Sequence, residues 1–288
     1  MSADADARAV EATWRRYDDD EQRLSAPLSE RMLDLAGVGP GTRVLDLATG
    51  RGEPAIRAAH RVGPTGAVLG VDIAPAMLRM ARERADREHV ENLDLRELSA
   101  ERLDGVPDAG YDVVLARWCL MYMADPRAAI REAARALVPG GRLVAATWAE
   151  PEKVSYYTLP RRALAPYREV PTVDVHAPGT FYYSDPAALT RDLEAAGFTV
   201  DSVEAVQVDV MEARTDAELF AWTRAFGLGR LLDGLSAELQ GRWEADLVAA
   251  AAAHRVDGVV RLGGTSWVVA ARARAWGWPT ELRSEGPR

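Results

Sequence analysis

The sequence predicts an α/β fold in which a mostly parallel sheet carries helices on both faces. Three observations support this prediction. Short apolar segments recur at 44–48, 67–71 and 111–116, segments with helical periodicity separate them, and a glycine turn follows the first of them. Because successive parallel strands need a crossover connection, strict alternation of the two patterns places helices against the sheet.

The central elements follow one another in a regular order. The predicted strands lie at 44–48, 67–71, 93–98, 111–116 and 142–148. The predicted helices between them lie at 54–62, 75–87 and 125–138. Pro75 suits the first turn of its helix, and the Asp125-Pro126 pair opens the next one. These elements account for the centre of a single sheet.

The remaining segments surround this core, and we expect one overall domain. The predicted organisation is an N-terminal helical cap at 1–42, the core at 43–149, a lid or substrate-facing segment at 150–184, and the end of the sheet at 185–288. The last part combines a helix at 185–196, a sixth strand within 198–210, inserted helices at 215–255 that cover the substrate, and a last strand at 266–273.

Charge and composition narrow the classes of partner. The net charge of −9 argues against nucleic acid and anionic membrane as main partners, because phosphate neutralisation needs a basic surface. No apolar stretch reaches the roughly eighteen residues of a membrane helix, and the acidic start resembles neither a signal nor a transit peptide. We therefore expect a cytoplasmic protein with a small-molecule partner. The inserted helices leave a homodimer open as an alternative to a monomer.

Metal and disulfide chemistry is not indicated by the sequence. Cys119 is the single cysteine, so the chain can form no internal disulfide and no multi-thiolate site. The acidic run at 18–21 is interpreted as a solvated helix face or cap. No metal site is predicted.

The glycine turn is the most informative motif. It occurs in Val44-Leu-Asp-Leu-Ala-Thr-Gly-Arg-Gly-Glu-Pro-Ala55, where a strand runs through glycines into a helix. Gly50, Gly52 and Ala55 also satisfy a dinucleotide-binding pattern. Asp46 argues against that alternative, because its carboxylate would repel a diphosphate but would suit a ligand with an ammonium and a sulfonium group.

These motifs resemble those of class I S-adenosylmethionine-dependent methyltransferases, in particular the methyltransferase type 11 (UbiE/Coq5-like) group. VLDLATGRGEPA is similar to the first motif of that class and VLGVDIAPAML to the second, and the segment from Tyr111 to Trp148 is similar to the fourth strand, helix and fifth strand. The resemblance covers roughly residues 30–210. It implies a Rossmann-like, seven-stranded sheet that is mostly parallel with an antiparallel last strand.

The resemblance also implies a donor site for S-adenosylmethionine, with S-adenosylhomocysteine as product. It assigns the methionine part to Asp46, Ala48, Gly50 and Gly52, the ribose hydroxyls to Asp72, and the adenine to Ile73 and Met77. Ser99-Ala100 replaces the Asp-Ala pair that often holds the adenine amino group, and Glu101 could substitute for the missing acid. Arg117 matches a position near the methionine end, and Tyr17 is expected to close over the donor.

Methyl transfer needs alignment and exclusion of water, and it needs a base only when the nucleophile must lose a proton. Two residues are candidates for the chemistry. His176 lies beside Asp174, which could orient its imidazole, although an exposed loop histidine is the simpler interpretation. Tyr122 lies where many family members carry a histidine, and it could either orient the substrate or only pack. The aromatic residues of 150–184 could line a pocket or form a small core.

Three functions remain open at this point. The first is methyl transfer to an O, N or C atom of a small hydrophobic metabolite, and the arginine- and alanine-rich composition hints at secondary metabolism. The second is a methyltransferase-fold protein that binds the donor but catalyses a cyclisation or rearrangement. The third is a nicotinamide-dependent oxidoreductase, which Asp46 disfavours. The product mass distinguishes the first two.

Overall fold

The structure is a computed structural model that describes residues 3–274 of the 288-residue chain. Its sheet contains β1 (Arg43–Leu47), β2 (Ala67–Asp72), β3 (Leu93–Glu97), β4 (Tyr111–Arg117), β5 (Leu137–Trp148), β6 (Phe198–Ala213), β7 (Arg255–Val256) and β8 (Val259–Ala273). The end of the last predicted segment, 275–288, lies outside the described residues.

The strand order confirms the predicted fold class. The main path of the sheet is β3-β2-β1-β4-β5-β8-β6, with the short β7 paired to β8. β1 to β5 pair in parallel, whereas β8 runs antiparallel to β5, β6 and β7. The carboxyl ends of β1, β2, β4 and β5 therefore meet at one edge, which is where open α/β sheets bind ligands.

The helices are α1 (Ala3–Ala36), α2 (Ala55–Val62), α3 (Pro75–Arg87), α4 (Pro126–Ala136), α5 (Ser155–Leu164), α6 (Pro186–Ala195), α7 (Asp216–Thr223), α8 (Gly229–Leu232) and α9 (Ala237–Ala251). Local signals explain several of their starts. Asp125 accepts a hydrogen bond from the N–H of Ala128 at the start of α4, and Thr215 and Glu218 form a capping box on α7. Residues Arg224–Leu228 form one π-helical turn after α7.

Several elements differ from the sequence prediction. β5 begins at Leu137, before the predicted 142–148, and β7 is a short strand that is not predicted. Two further differences have a local cause. α5 lies inside 150–184, where no helix is predicted, because Pro160 interrupts the helical pattern. β8 begins at Val259, before the predicted 266–273, because the Gly263-Gly264 pair does not look like a strand. A Cβ at Gly263 would lie 1.9 Å from the carbonyl oxygen of Val208. These glycines allow β6 and β8 to approach closely.

Buried apolar side chains cover both faces of the sheet and hold in place the edge formed by the carboxyl ends of β1, β2, β4 and β5. Leu45, Leu47, Val114 and Leu143 are completely buried, and α1 packs across β6 and β5. No helix within residues 3–274 combines the length and the apolar character needed to cross a membrane. The edge of the sheet is thus a rigid frame on which the loops after β1, β2 and β4 are mounted.

Candidate active site

The turn after β1 is bonded to the turn after β2. Ala48, Gly50 and Gly52 all have left-handed backbones, with φ of 48°, 56° and 88°. The carboxylate of Asp72 accepts one hydrogen bond from the N–H of Gly50 and another from that of Ala74, both at 2.8 Å. Only a tight turn brings the amide of Gly50 to this carboxylate, and glycine adopts such a turn at the lowest steric cost.

Asp46 is a buried carboxylate without a hydrogen-bond partner in the described part of the chain. It is 1% exposed, and neither oxygen has a hydrogen bond of normal geometry, although the Thr49 side chain and the Ala55 backbone lie close enough to favour the charged form. Burial raises the pKa of Asp46 to about 7. An unsatisfied acid at this depth is costly unless a cation compensates it, so the position fits a cationic ligand.

The end of β2 combines a carboxylate with an exposed apolar side chain. Asp72 is 8% exposed and the following Ile73 is 71% exposed, while Met77 on α3 is half-buried. Asp72 retains lone pairs for the hydroxyls of a ribose, and Ile73 presents a free apolar surface to a flat base. This pairing fits the nucleoside part of S-adenosylmethionine.

The loop after β3 contains the predicted adenine contacts. Ala100 is buried, and the Ser99 hydroxyl accepts a hydrogen bond from the N–H of Glu101 at 3.2 Å. The Glu101 carboxylate accepts hydrogen bonds from the N–H groups of Ala124 (2.8 Å) and Asp125 (3.2 Å). Glu101 therefore connects this loop to the start of α4.

An ion cluster joins α1 to the glycine turn. The Arg51 guanidinium bonds to the carboxylates of Asp18 and Glu21 and lies 3.8 Å from the ring centroid of Trp14. Arg117 donates to the hydroxyl of Ser25 at 2.8 Å and lies 3.5 Å from Glu21. Burial tends to raise the pKa of Glu21, but the charges of Arg117 and Arg51 outweigh it and hold this pKa below its ordinary value. The interpretation of 18–21 as a solvated face is thus wrong for Asp18 and Glu21, which are buried against arginines.

A cavity of about 480 Å³ opens beside the glycine turn. It begins at Ala48, Thr49 and Gly50 and extends between α1, α5 and the π-helical turn. Its aromatic lining consists of Trp14, Trp118, Tyr122, Trp148, Tyr156, Tyr157, Trp222 and Phe226. The cavity is large enough for a small molecule, and its rings suit a flat, apolar one.

Local contacts hold the aromatic wall in place. Trp118 has a left-handed backbone with φ of 50°, and its indole N–H donates to the Ser266 hydroxyl at 3.0 Å. Its ring stacks on that of Trp148 with 4.4 Å between centroids, and Tyr156 lies 5.0 Å from Trp148. A strained backbone next to a cavity is typical of functional sites.

The structure brings some predicted residues to the cavity and leaves others away from it. Ala48, Gly50, Arg117 and Tyr122 line the cavity, and the Tyr122 hydroxyl lies 3.2 Å from that of Thr180. Tyr17 is not among the lining residues of the described chain, but its ring packs edge-on against Phe226 at 5.4 Å.

His176 lies apart from the cavity. Its side chain is exposed, and within the described chain it is not one of the residues that line the cavity. Asp174 accepts a hydrogen bond from the backbone N–H of His176 at 2.8 Å, so this bond does not orient the imidazole. The arrangement that would make His176 a base is therefore not formed.

Several lining residues carry no signal in the local sequence. Trp222 and Phe226 have the i, i+4 spacing of an ordinary buried helix face. Arg51 and Arg161 are two among many arginines. Only the packing of α5 and α7 over the sheet shows that these side chains share a cavity.

The fold and the site together define a class: proteins that bind S-adenosylmethionine on a Rossmann-like sheet, with a glycine turn after the first strand and an acid at the end of the second. A family model described as a methyltransferase domain matches residues 39–166. Nocamycin O-methyltransferase of Saccharothrix syringae is 31% identical over 271 residues, which cover 85% of this chain and 90% of that protein. The chain belongs to the class I S-adenosylmethionine-dependent methyltransferases.

Two further comparisons show how far this likeness extends. The ubiquinone/menaquinone biosynthesis C-methyltransferase UbiE of Pseudomonas putida is 39% identical over 120 residues, 41% of this chain and 46% of that protein. This match therefore spans about half of the relative's length. The solved structure of the cyclase SpnF is 21% identical, with 88% of this chain and 83% of that chain covered at a TM-score of 0.55. It shares the fold.

Proposed function

We propose that this methyltransferase holds its donor across the ends of β1 and β2 and methylates an oxygen atom of a small, largely apolar acceptor in the aromatic cavity. The observation that carries the proposal is the position of this cavity. One end of it is the glycine turn at Ala48–Gly50, and the rest is lined mainly by aromatic rings, together with the charged side chains of Glu21, Arg51, Glu53, Arg117 and Arg161. A donor on the turn would present its reactive carbon to an acceptor lying between the rings.

The proposed donor pose uses six side chains and the backbone of the glycine turn. In this pose Asp72 would accept hydrogen bonds from the ribose hydroxyls, and Ile73 and Met77 would cover the adenine. Asp46 and the backbone of the glycine turn would face the cationic methionine end. Ser99 and Glu101 lie at the next turn, where the adenine amino group would point.

When bound, S-adenosylmethionine supplies a methyl group on a positively charged sulfur, so the protein must align an acceptor and exclude water. Trp118, Trp148 and Tyr156 provide the dry, flat surface for this task. Of the two candidates for the chemistry, His176 and Tyr122, only Tyr122 is among the described residues that line the cavity. We assign it to orienting the acceptor, through the hydroxyl that contacts Thr180.

The choice of oxygen is supported by the relative that matches most of the chain. Nocamycin O-methyltransferase is similar over 90% of its own length and over 85% of this chain. The similarity to UbiE, a C-methyltransferase, covers less than half of that relative. The likeness therefore favours O-methylation in secondary metabolism.

The test combines donor binding with product mass. Calorimetry of the full chain with S-adenosylmethionine and S-adenosylhomocysteine should show binding that Asp72→Ala weakens. A panel of phenols, carboxylic acids, amines and activated methylene compounds is then incubated with methyl-deuterated donor. A deuterated product labelled on oxygen is expected.

Each other outcome contradicts a defined part of the proposal. Label on nitrogen or carbon would overturn the choice of atom. A product that is isomeric with its substrate would favour the non-methylating cyclisation or rearrangement. Failure of both donor and product analogue to bind would overturn the assignment of the donor site.

A further inference from the structure

We infer that Arg161 is the anion-binding residue of the acceptor cavity, and that the acceptor is an organic acid bound as its anion. This inference rests on the proposed function, because it concerns the substrate class of the same cavity. Arg161 lies on α5 and lines the cavity together with Tyr156, Tyr157 and Trp222. Its guanidinium lies 3.5 Å from the ring centroid of Tyr157 and donates to the Tyr157 carbonyl oxygen at 3.0 Å.

Arg161 differs from the other arginines at this cavity in its charge balance. Arg51 pairs with Asp18 and Glu21, and Arg117 pairs with Glu21. No carboxylate of the described residues lies within ion-pair distance of Arg161. The groups that face it are the rings of Tyr156 and Tyr157 and the carbonyl of its own helix.

The acids at the cavity are already neutralised by other residues. Glu53, which also lines it, has one oxygen 2.7 Å from Arg57 and the other 3.2 Å from Arg84. Glu21 is shared between Arg51 and Arg117. Among the charged side chains that line the cavity in the described part of the chain, Arg161 therefore keeps a positive charge that no carboxylate balances.

A half-buried cation without a counter-ion is unfavourable in the absence of a ligand. Burial lowers the pKa of Arg161 from its ordinary value, because removing the guanidinium from water disfavours its charged form. Guanidinium retains its proton nonetheless and offers several N–H donors in one plane. A planar oxyanion, such as a carboxylate or the enolate of an acidic diketone, matches this geometry and restores neutrality.

An anionic acceptor also accounts for the lack of a histidine among the lining residues of the described chain. The acceptor oxygen forms its bond to the methyl carbon with its own lone pair, and the carbon–sulfur bond breaks with its electron pair remaining on sulfur. The negative charge of the acceptor and the positive charge of the sulfur disappear together. No proton has to leave, so no general base is required.

The test compares acidic probes with neutral counterparts of the same shape. Calorimetry of the full chain, saturated with S-adenosylhomocysteine, is carried out with biphenyl carboxylate and its carboxamide, and with a phenyl-substituted cyclic diketone and its methyl enol ether. We expect at least one acid to bind about ten-fold or more tightly than its neutral counterpart. The preferred pair distinguishes a carboxylate from an enolate.

Variants of neighbouring arginines provide the control. Arg161→Met should abolish the preference for the acid, and Arg161→Lys should retain part of it. Arg162→Met, on the exposed side of the same helix, should retain all of it. Absence of a preference in the wild type, including binding of neither member of each pair, would overturn the inference, as would a preference that survives Arg161→Met.

The donor titration separates this result from the proposed function. If S-adenosylhomocysteine binds but the acids gain nothing over the neutral probes, the donor site stands and the anionic acceptor is wrong. If S-adenosylhomocysteine does not bind, the proposed function itself fails.

Discussion

The donor half and the acceptor half of this site are built in different ways. The donor half lies mainly on one strand–turn–helix unit, β1 to α2, together with the end of β2, the start of α3 and the loop after β3. The acceptor half is assembled from α1, the ends of β4 and β5, α5 and the π-helical turn. In the first, Asp46 is an unsatisfied polar group, whereas in the second almost every ring packs against another ring.

This contrast predicts that residues of the acceptor half mainly affect stability, whereas residues of the donor half mainly affect donor affinity. The acceptor wall is a continuation of the core, so its residues should contribute strongly to the free energy of unfolding. The donor turn holds polar groups poised for a ligand, so its residues should contribute to affinity at little benefit, or even at some cost, to stability. The four predictions below test this difference, beginning with the largest effect.

Removing a ring from the acceptor wall should cost most stability. Trp148 is 3% exposed and stacks on Trp118. We expect Trp148→Ala to lower the free energy of unfolding by about 3–5 kcal/mol, because it leaves a large cavity. Urea unfolding followed by circular dichroism measures this, and Trp148→Phe should lose clearly less. A loss of under about 1 kcal/mol would show that the wall is separate from the core.

Neutralising the acid at the end of β2 should mainly affect the donor. Asp72→Asn preserves the side-chain shape but leaves only one acceptor oxygen for the hydroxyls and the amides of Gly50 and Ala74. Donor affinity should fall by about ten- to hundred-fold, as measured by calorimetry. Glu97, the exposed register partner of Asp72 on β3, provides the control. Equal losses in Glu97→Gln would point to a general charge effect.

Asp46→Asn should move stability and affinity in opposite directions. The pKa of Asp46 is about 7 in the folded protein, against an ordinary value of 3.8. Between these pH values the folded state binds the extra proton, so this group stabilises the wild type at low pH, and the contribution is lost as pH rises to about 7. Without ligand, the free energy of unfolding of Asp46→Asn should therefore rise relative to that of the wild type by a few kcal/mol between pH about 5 and about 8.

Donor binding gives the second half of this prediction. The wild type should bind S-adenosylmethionine more tightly as pH rises through about 7, because the carboxylate then carries its charge. Asp46→Asn should bind about ten-fold more weakly at high pH and show no such rise. Calorimetry at several pH values measures both. A pH-independent wild type would mean that Asp46 does not interact with the cationic end.

Tyr17→Ala should have the smallest effect. Tyr17 is not among the described residues that line the cavity, but its ring packs against Phe226, which is. We expect donor affinity to fall by about two- to five-fold through loosened packing, with Tyr17→Phe unchanged. An unaltered affinity in Tyr17→Ala would remove Tyr17 from the donor site.

The same contrast explains what could be predicted from the sequence. The strands, the glycine turn and the acids Asp46 and Asp72 form local patterns, so both the fold class and a candidate donor edge follow from them. The cavity wall depends on long-range packing. Nothing near Arg161, Trp222 or Phe226 indicates that they meet, because α5 and α7 must first dock over the sheet.

Long-range charge pairing caused one incorrect interpretation. Asp18 and Glu21 look like part of a solvated acidic face, but Arg51, which lies far along the chain, buries them beside Trp14. The first half of β8 is not predicted because the glycines at 263–264 are not typical of a strand, and this error also has a long-range cause. Their role is to admit the backbone of β6, and a neighbouring strand is not visible in a local pattern.

The position of β8 between β5 and β6 determines the order in which the strands can pair during synthesis. Among the described strands, β6 pairs only with β8, and β8 also pairs with the side of β5 that β4 leaves free. As the chain leaves the ribosome, β1 to β5 can pair while β6 still waits for residues 259–273. The donor edge can therefore form early. The long strand β6 stays unpaired until β8 has been synthesised, and an unpaired strand can bind a chaperone or aggregate.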